Sequence, residues 1–124
     1  LDPIIMILGT DEGQSERLAG LLQANGYHPD VKDNFAMLTE RLTEKKPAAI
    51  ILDIDAAPHD NHLFRAFKRN NPDVILLGLS AYSFHPALKE SMEKHIFACM
   101  VKPIDPDEVL FLLKTGCDES HTDT

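Results

Sequence analysis

Five short apolar runs recur at even intervals along the 124 residues, and stretches of helical period separate them. The runs are Ile4 to Leu8, a weaker one around Tyr27 to Val31, Ala49 to Leu52, Val74 to Leu79, and Ile96 to Val101. Their length suits strands rather than helices. Between and after them, apolar residues fall at helical spacing: Leu18, Leu21 and Leu22; Phe35, Leu38 and Leu42; Leu63 and Phe67; Leu88 and Met92; Val109, Leu112 and Leu113. Boundary chemistry agrees: Asn25-Gly26 ends the first such stretch, Lys46-Pro47 the second and Asn70-Asn71-Pro72 the third, and Pro106 opens the last. Strands that are apolar on both faces and alternate with helices predict a mostly parallel α/β sheet, covered on both sides and joined by right-handed crossovers. In such a fold function gathers at the carboxyl ends of the strands, beside the topological switch point.

A chain of this length, 44% hydrophobic and 26% charged, supports one core. Residues 1–115 are expected to form the domain, and 116–124 a polar tail or the start of a linker. A start at Leu1 rather than Met and a polar end are expected of a domain cut from a longer protein, whose output module would then lie elsewhere. Acidic residues outnumber basic ones by 20 to 12, for a formal charge of -8, so the surface repels a phosphate backbone and direct nucleic-acid binding is not expected. Cys99 and Cys117 are too few for a disulfide framework and lack the grouping of a zinc site, which suits a reducing cytoplasm. The longest apolar runs fall far short of the roughly 20 residues a membrane span needs. No signal peptide is visible.

The strand ends carry the chemistry. Gly9-Thr10-Asp11-Glu12 follows the first strand, Asp53-Ile54-Asp55 the third, Ser80-Ala81 the fourth and Lys102-Pro103 the fifth. A carboxylate, a hydroxyl and an ammonium at one mouth suit phosphoryl transfer. In that chemistry Asp53 is expected to attack phosphorus in line, Ser80 to donate to a phosphoryl oxygen and Lys102 to offset charge on another.

On these residues the chain resembles response-regulator receiver domains. Ile50-Ile51-Leu52-Asp53-Ile54 is similar to the family's phosphoacceptor strand, Leu79-Ser80-Ala81-Tyr82 to its hydroxyl strand, and Met100-Val101-Lys102-Pro103-Ile104-Asp105 to its lysine strand. The resemblance covers roughly residues 4 to 114. It implies a (βα)5 flavodoxin-like doubly wound sandwich with a five-stranded parallel sheet of order 2-1-3-4-5. It also implies a cis Lys102-Pro103 bond and a signalling switch rather than an enzyme. The partners it implies are a histidine kinase or phosphotransfer protein, an attached or separate output module, and a homodimer through the last helices.

The chain departs from that pattern in three places. Receivers carry adjacent acidic residues after the first strand to hold Mg²⁺ together with the acceptor aspartate and a backbone carbonyl two residues beyond it; Gly9 and Thr10 stand there, and Asp11 falls one place later. The expected metal set is therefore Asp53, Asp11 and the Asp55 carbonyl, a weakened Mg²⁺ site. For Asp11 a helix cap is the stronger expectation, and for the Asp55 side chain, solvent. In the loop after Asp53 the family's proline comes one place late, as Pro58, and Asn61 replaces its glycine after Asp60. At the fifth-strand position where receivers rotate an aromatic ring inward stands Cys99, expected to act as a small inert hydrophobe rather than a redox sensor.

Asp53 also has a plainer role open to it, capping the turn that follows. The six histidines, His28, His59, His62, His85, His95 and His121, are expected at the surface or in loops. Two other functions stay open: a receiver-like interaction or dimerisation module that accepts no phosphate, and a flavodoxin-like cofactor binder using the Gly9–Ser15 loop. Against the binder, Asp11 and Glu12 put negative charge where a phosphate would sit, and the chain has no tryptophan.

Overall fold

A computed structural model describes residues 2–32, 46–56, 61–82, 90 and 94–122, with side chains described as far as residue 116. In chain order the elements are β1 (Ile4–Leu8), α1 (Glu12–Ala24), β2 (His28–Lys32), β3 (Ala49–Asp53), α2 (Asn61–Asn70), β4 (Ile75–Ser80), β5 (Ala98–Val101) and α3 (Pro106–Thr122). The helical stretches expected around Phe35–Leu42 and Leu88–Met92 lie outside the described residues, as do Pro58 and Asp60.

All strand pairs are parallel, and the sheet order is β2-β1-β3-β4-β5, as expected. Two-residue strand periodicity sorts the core into two layers. Ile5, Ile7, Ile51, Ile75, Leu77 and Leu79 face one side, where Leu18 and Leu22 of α1 and Val109 and Leu113 of α3 cover them. Met6, Leu8, Ile50, Leu52 and Leu76 face the other, against Phe64 and Phe67 of α2. That two-sided cover explains why β1, β3 and β4 read as unbroken apolar runs. The edge strand β2, His28-Pro29-Asp30-Val31-Lys32, is exposed or half-buried throughout, which is why its signal in the sequence was weak.

The boundaries follow local chemistry. Asp11 is the N-cap of α1, its Oδ1 accepting from Gln14 N–H at 2.8 Å. Asn25 closes the helix, and Gly26 takes φ 83°, a left-handed conformation that suits glycine. β5 is shorter than its apolar run, beginning at Ala98. Ile96 instead packs into the α2-side core, and Phe97 is exposed although its N–H donates to Leu76 O. His95 lies in the turn ahead of β5, within the surface-or-loop expectation, half-buried with its Nε2 3.6 Å from Glu90 Oε2.

Candidate functional site

Because the sheet is parallel, β1, β3, β4 and β5 end at one edge, and the order reversal between β1 and β3 opens its crevice there. Two backbone bonds extend the ladders just past the regular strands. Ile54 N–H donates to Leu79 O at 2.9 Å, and Lys102 N–H donates to Ser80 O at 2.7 Å. These rungs fix Asp53, Ser80 and Lys102 relative to one another through the backbone. The Lys102-Pro103 bond is cis.

Asp53 is buried, 5% exposed, and both its oxygens are engaged. Lys102 Nζ lies 2.8 Å from Oδ2, and Asp55 N–H donates to Oδ1 at 3.0 Å. The second bond makes Asp53 the head of a tight turn, so the capping role and the position beside Lys102 coexist. Lys102 is held charged: partial desolvation pushes its ammonium pKa down, but hydrogen bonds and charge from Asp53 and Asp55 outweigh this and raise it.

Asp55 departs from expectation. Its side chain turns into the mouth rather than toward solvent and is 24% exposed. Ser80 Oγ donates to Asp55 Oδ1 at 2.7 Å, while Ala81 N–H at 2.8 Å and Lys102 Nζ at 3.2 Å donate to Oδ2. Ser80 Oγ also accepts from Tyr82 N–H at 3.0 Å, which commits its own proton to Asp55. Desolvation pushes the Asp55 carboxyl up, and the bonds from Ala81, Ser80 and Lys102 together with the Lys102 charge overcome it, bringing the pKa to about 2. The turn over Asp53–Ala56, with Ala56 N–H donating to Asp53 O at 3.3 Å, folds the second carboxylate back over the first.

On the far side of the mouth, Gly9 takes φ 77°, where an acidic side chain would be strained. The Thr10 hydroxyl bonds to the Ser15 hydroxyl. Asp11, exposed and capping α1, is not brought into the Asp53–Lys102 cluster by any bond described. Among the described residues no three His, Cys, Asp or Glu are grouped as metal ligands. Mg²⁺ demands near-octahedral oxygen donors, and the acceptor's own oxygens already face an N–H and an ammonium. Cys99 is half-buried against the α2-side core; burial, with the charges of Asp55 and Glu108, pushes its thiol pKa up, which suits an inert thiol.

The structure brings Asp53, Ser80 and Lys102 together at one mouth, as the strand-end positions led one to expect. Sequence reasoning missed the Asp55 carboxylate and the backbone donors of Ala81 and Tyr82. A second aspartate two residues past a strand-end aspartate, opposite a serine and a lysine, was the available signal.

No family model matches the chain. Curated relatives do: an NtrX-like response regulator of Rickettsia bellii is 23% identical over 117 residues, 92% of this chain, and the transcriptional regulatory protein ZraR of Klebsiella oxytoca is 26% identical over 119 residues, 95% of this chain. Among solved structures, a CheY-like response regulator receiver domain protein from Methanospirillum hungatei superposes with a TM-score of 0.83 at 16% identity, covering 100% of both chains. The chain resembles response-regulator receiver domains in sequence and has their fold. This receiver-like domain spans about a quarter of the length of the curated relatives it matches, 24% and 26%. No helix among the described residues of the receiver-like domain is long and apolar enough to cross a membrane.

Proposed function

We propose that the domain is a signalling switch that accepts a phosphoryl group on Asp53 from a histidine kinase or phosphotransfer protein. One observation carries the reading: a buried carboxylate at the end of β3 lies 2.8 Å from the Lys102 ammonium, with the Ser80 hydroxyl at the neighbouring strand end. An Asp53 oxygen forms the new O–P bond as the P–N bond of a phosphohistidine breaks, and the electron pair leaves with the imidazole. Lys102 then offsets charge on the transferred group, and Ser80 donates to one of its oxygens. The acyl phosphate shifts the balance between two conformations through those differential contacts.

Domains of this kind typically use Mg²⁺ to neutralise phosphoryl charge. In this chain Asp53 and the Asp55 carbonyl are the donors left to hold it, and Asp11 joins them only by giving up its cap on α1. The partners of this reading are a kinase, an output module and, through the last helices, a second copy, all in the cytoplasm.

The test is intact mass after incubation with Mg²⁺ and acetyl phosphate, with Asp53→Asn as control. A single phosphoryl adduct absent from the variant is the expected result. No adduct at high magnesium, with the protein folded, would favour the second reading, a phosphorylation-independent interaction module. That alternative draws support from Cys99, which stands where receivers present an aromatic ring, and from Gly9 and Thr10, which stand where receivers carry their acidic pair. The flavodoxin-like binder fares worse, because Gln14 N–H at the start of α1 is already taken by the Asp11 carboxylate.

A further inference from the structure

Three donors meet on one carboxylate at the mouth of the sheet. Ser80 Oγ and Ala81 N–H come from the end of β4 and Lys102 Nζ from the end of β5, and between them they engage both oxygens of Asp55. A hydroxyl, a backbone N–H and an ammonium converging in this way form an anion-binding site. The Asp53 acceptor lies on the same ammonium, so the anion the site holds sits against the atom that is to be phosphorylated. A carboxylate presents two oxygens with shared charge, much as a phosphoryl group presents two of its three. Neither the Ser80 proton nor the Ala81 N–H can serve a second anion while Asp55 holds it.

We propose that the Asp55 carboxylate is a built-in occupant of the phosphoryl site. It keeps Ser80 and Lys102 engaged in the unmodified protein and must swing out before a phosphoryl group on Asp53 can settle there. The inference rests on the reading of Asp53 as acceptor and adds its regulation. Asp55 takes no part in bond making or breaking; it sets how readily the site opens. Two consequences follow. Ser80 and Lys102 are released to a phosphoryl group only as Asp55 leaves, and phosphorylation is slow because the entering group must displace three hydrogen bonds.

The test follows the rate of adduct formation by intact mass with acetyl phosphate and Mg²⁺, for the wild-type chain, Asp55→Ala and Asp53→Asn, at low salt and at about 0.5 M salt, where screening reaches within a few ångströms. Asp55→Ala is expected to react roughly tenfold faster, the scale of losing one well-made competing set of charged hydrogen bonds. The gain should survive high salt, because occupancy of the site is not screened as a field through solvent is. Equal rates for wild type and Asp55→Ala, both abolished by Asp53→Asn, would overturn the occupant and leave the acceptor standing. A gain that vanishes at high salt would also overturn it. No adduct on any chain that retains Asp53 overturns both.

Should Asp55→Ala fail to fold, beryllofluoride and Mg²⁺ added to the wild-type chain give a second measurement. The Asp55 carboxyl carbon and the Ala81 amide are expected to shift together by NMR as the side chain leaves. Shifts at Ser80 and Ala81 with an unmoved Asp55 carboxyl would refute the proposal.

Discussion

Lys102 Nζ lies 2.8 Å from Asp53 Oδ2, so the buried carboxylate that ends β3 is balanced by a cation from two strands away. Removing that cation strips one of the two partners described from a side chain that is only 5% exposed. Lys102→Met is therefore expected to cost about 1–3 kcal/mol in urea unfolding, the range for leaving a buried hydrogen-bonding group without its partner. Much of the loss should return in the Asp53→Asn, Lys102→Met double variant, because the two residues share one interaction. Strictly additive losses would show that the pair is not coupled.

Asp11 separates capping from metal binding. Asp11→Ala should lower stability by about 1 kcal/mol, whereas Asp11→Asn, which keeps an accepting oxygen for Gln14 N–H, should cost only a few tenths. The Asn variant should also leave the magnesium dependence of phosphorylation unchanged. A clear rise in the magnesium needed by Asp11→Asn would place that carboxylate at the ion.

Gly78 sits in the middle of β4 with no room for a side chain. A Cβ there would run into the Ile54 side chain and come within 3.4 Å of Cys99 Sγ. Gly78→Ala is expected to destabilise by about 1–3 kcal/mol, the usual cost of overpacking a dense core. Ile54→Ala in the same chain should relieve part of that cost. Thermal unfolding reads both, and an unchanged melting temperature for Gly78→Ala would mean that Ile54 turns aside freely.

Cys99 offers a pH readout of the same corner. Its thiol pKa is raised first by burial and then by the charges of Asp55 and Glu108, so at a given pH less thiolate is present than on an unperturbed cysteine. In a Cys117→Ser background, the alkylation rate should keep rising with pH beyond the range where an ordinary thiol levels off. Asp55→Asn removes one of the charges and should move that rise to lower pH. An unshifted profile would show that the Asp55 charge does not reach the thiol.

Much of the site was legible because it depends on where strands end. Asp53, Ser80 and Lys102 each follow an apolar run, and parallel strands must bring those ends to one edge. Helix boundaries were legible for a similar local reason, as Asn25-Gly26 and Pro106 show. The Asp55 side chain was not legible. Beyond a strand the two-residue alternation no longer applies, and the direction of Asp55 is set by the turn that Asp53 itself caps, together with donors from β4 and β5 that sequence spacing does not reveal.

Asp55 lies two residues from Asp53, on the turn that Asp53 heads. A carboxylate on so short a tether faces its binding site at an effective concentration on the order of millimolar or more, and dilution cannot lower it. Free anions in solution must outcompete a ligand that never diffuses away, so small phosphates and carboxylates should read out poorly at this mouth. A donor that delivers its phosphoryl group while docked on the domain meets the tethered ligand on equal terms. Selectivity for a docked protein donor over small-molecule donors would then be built into the spacing between two aspartates.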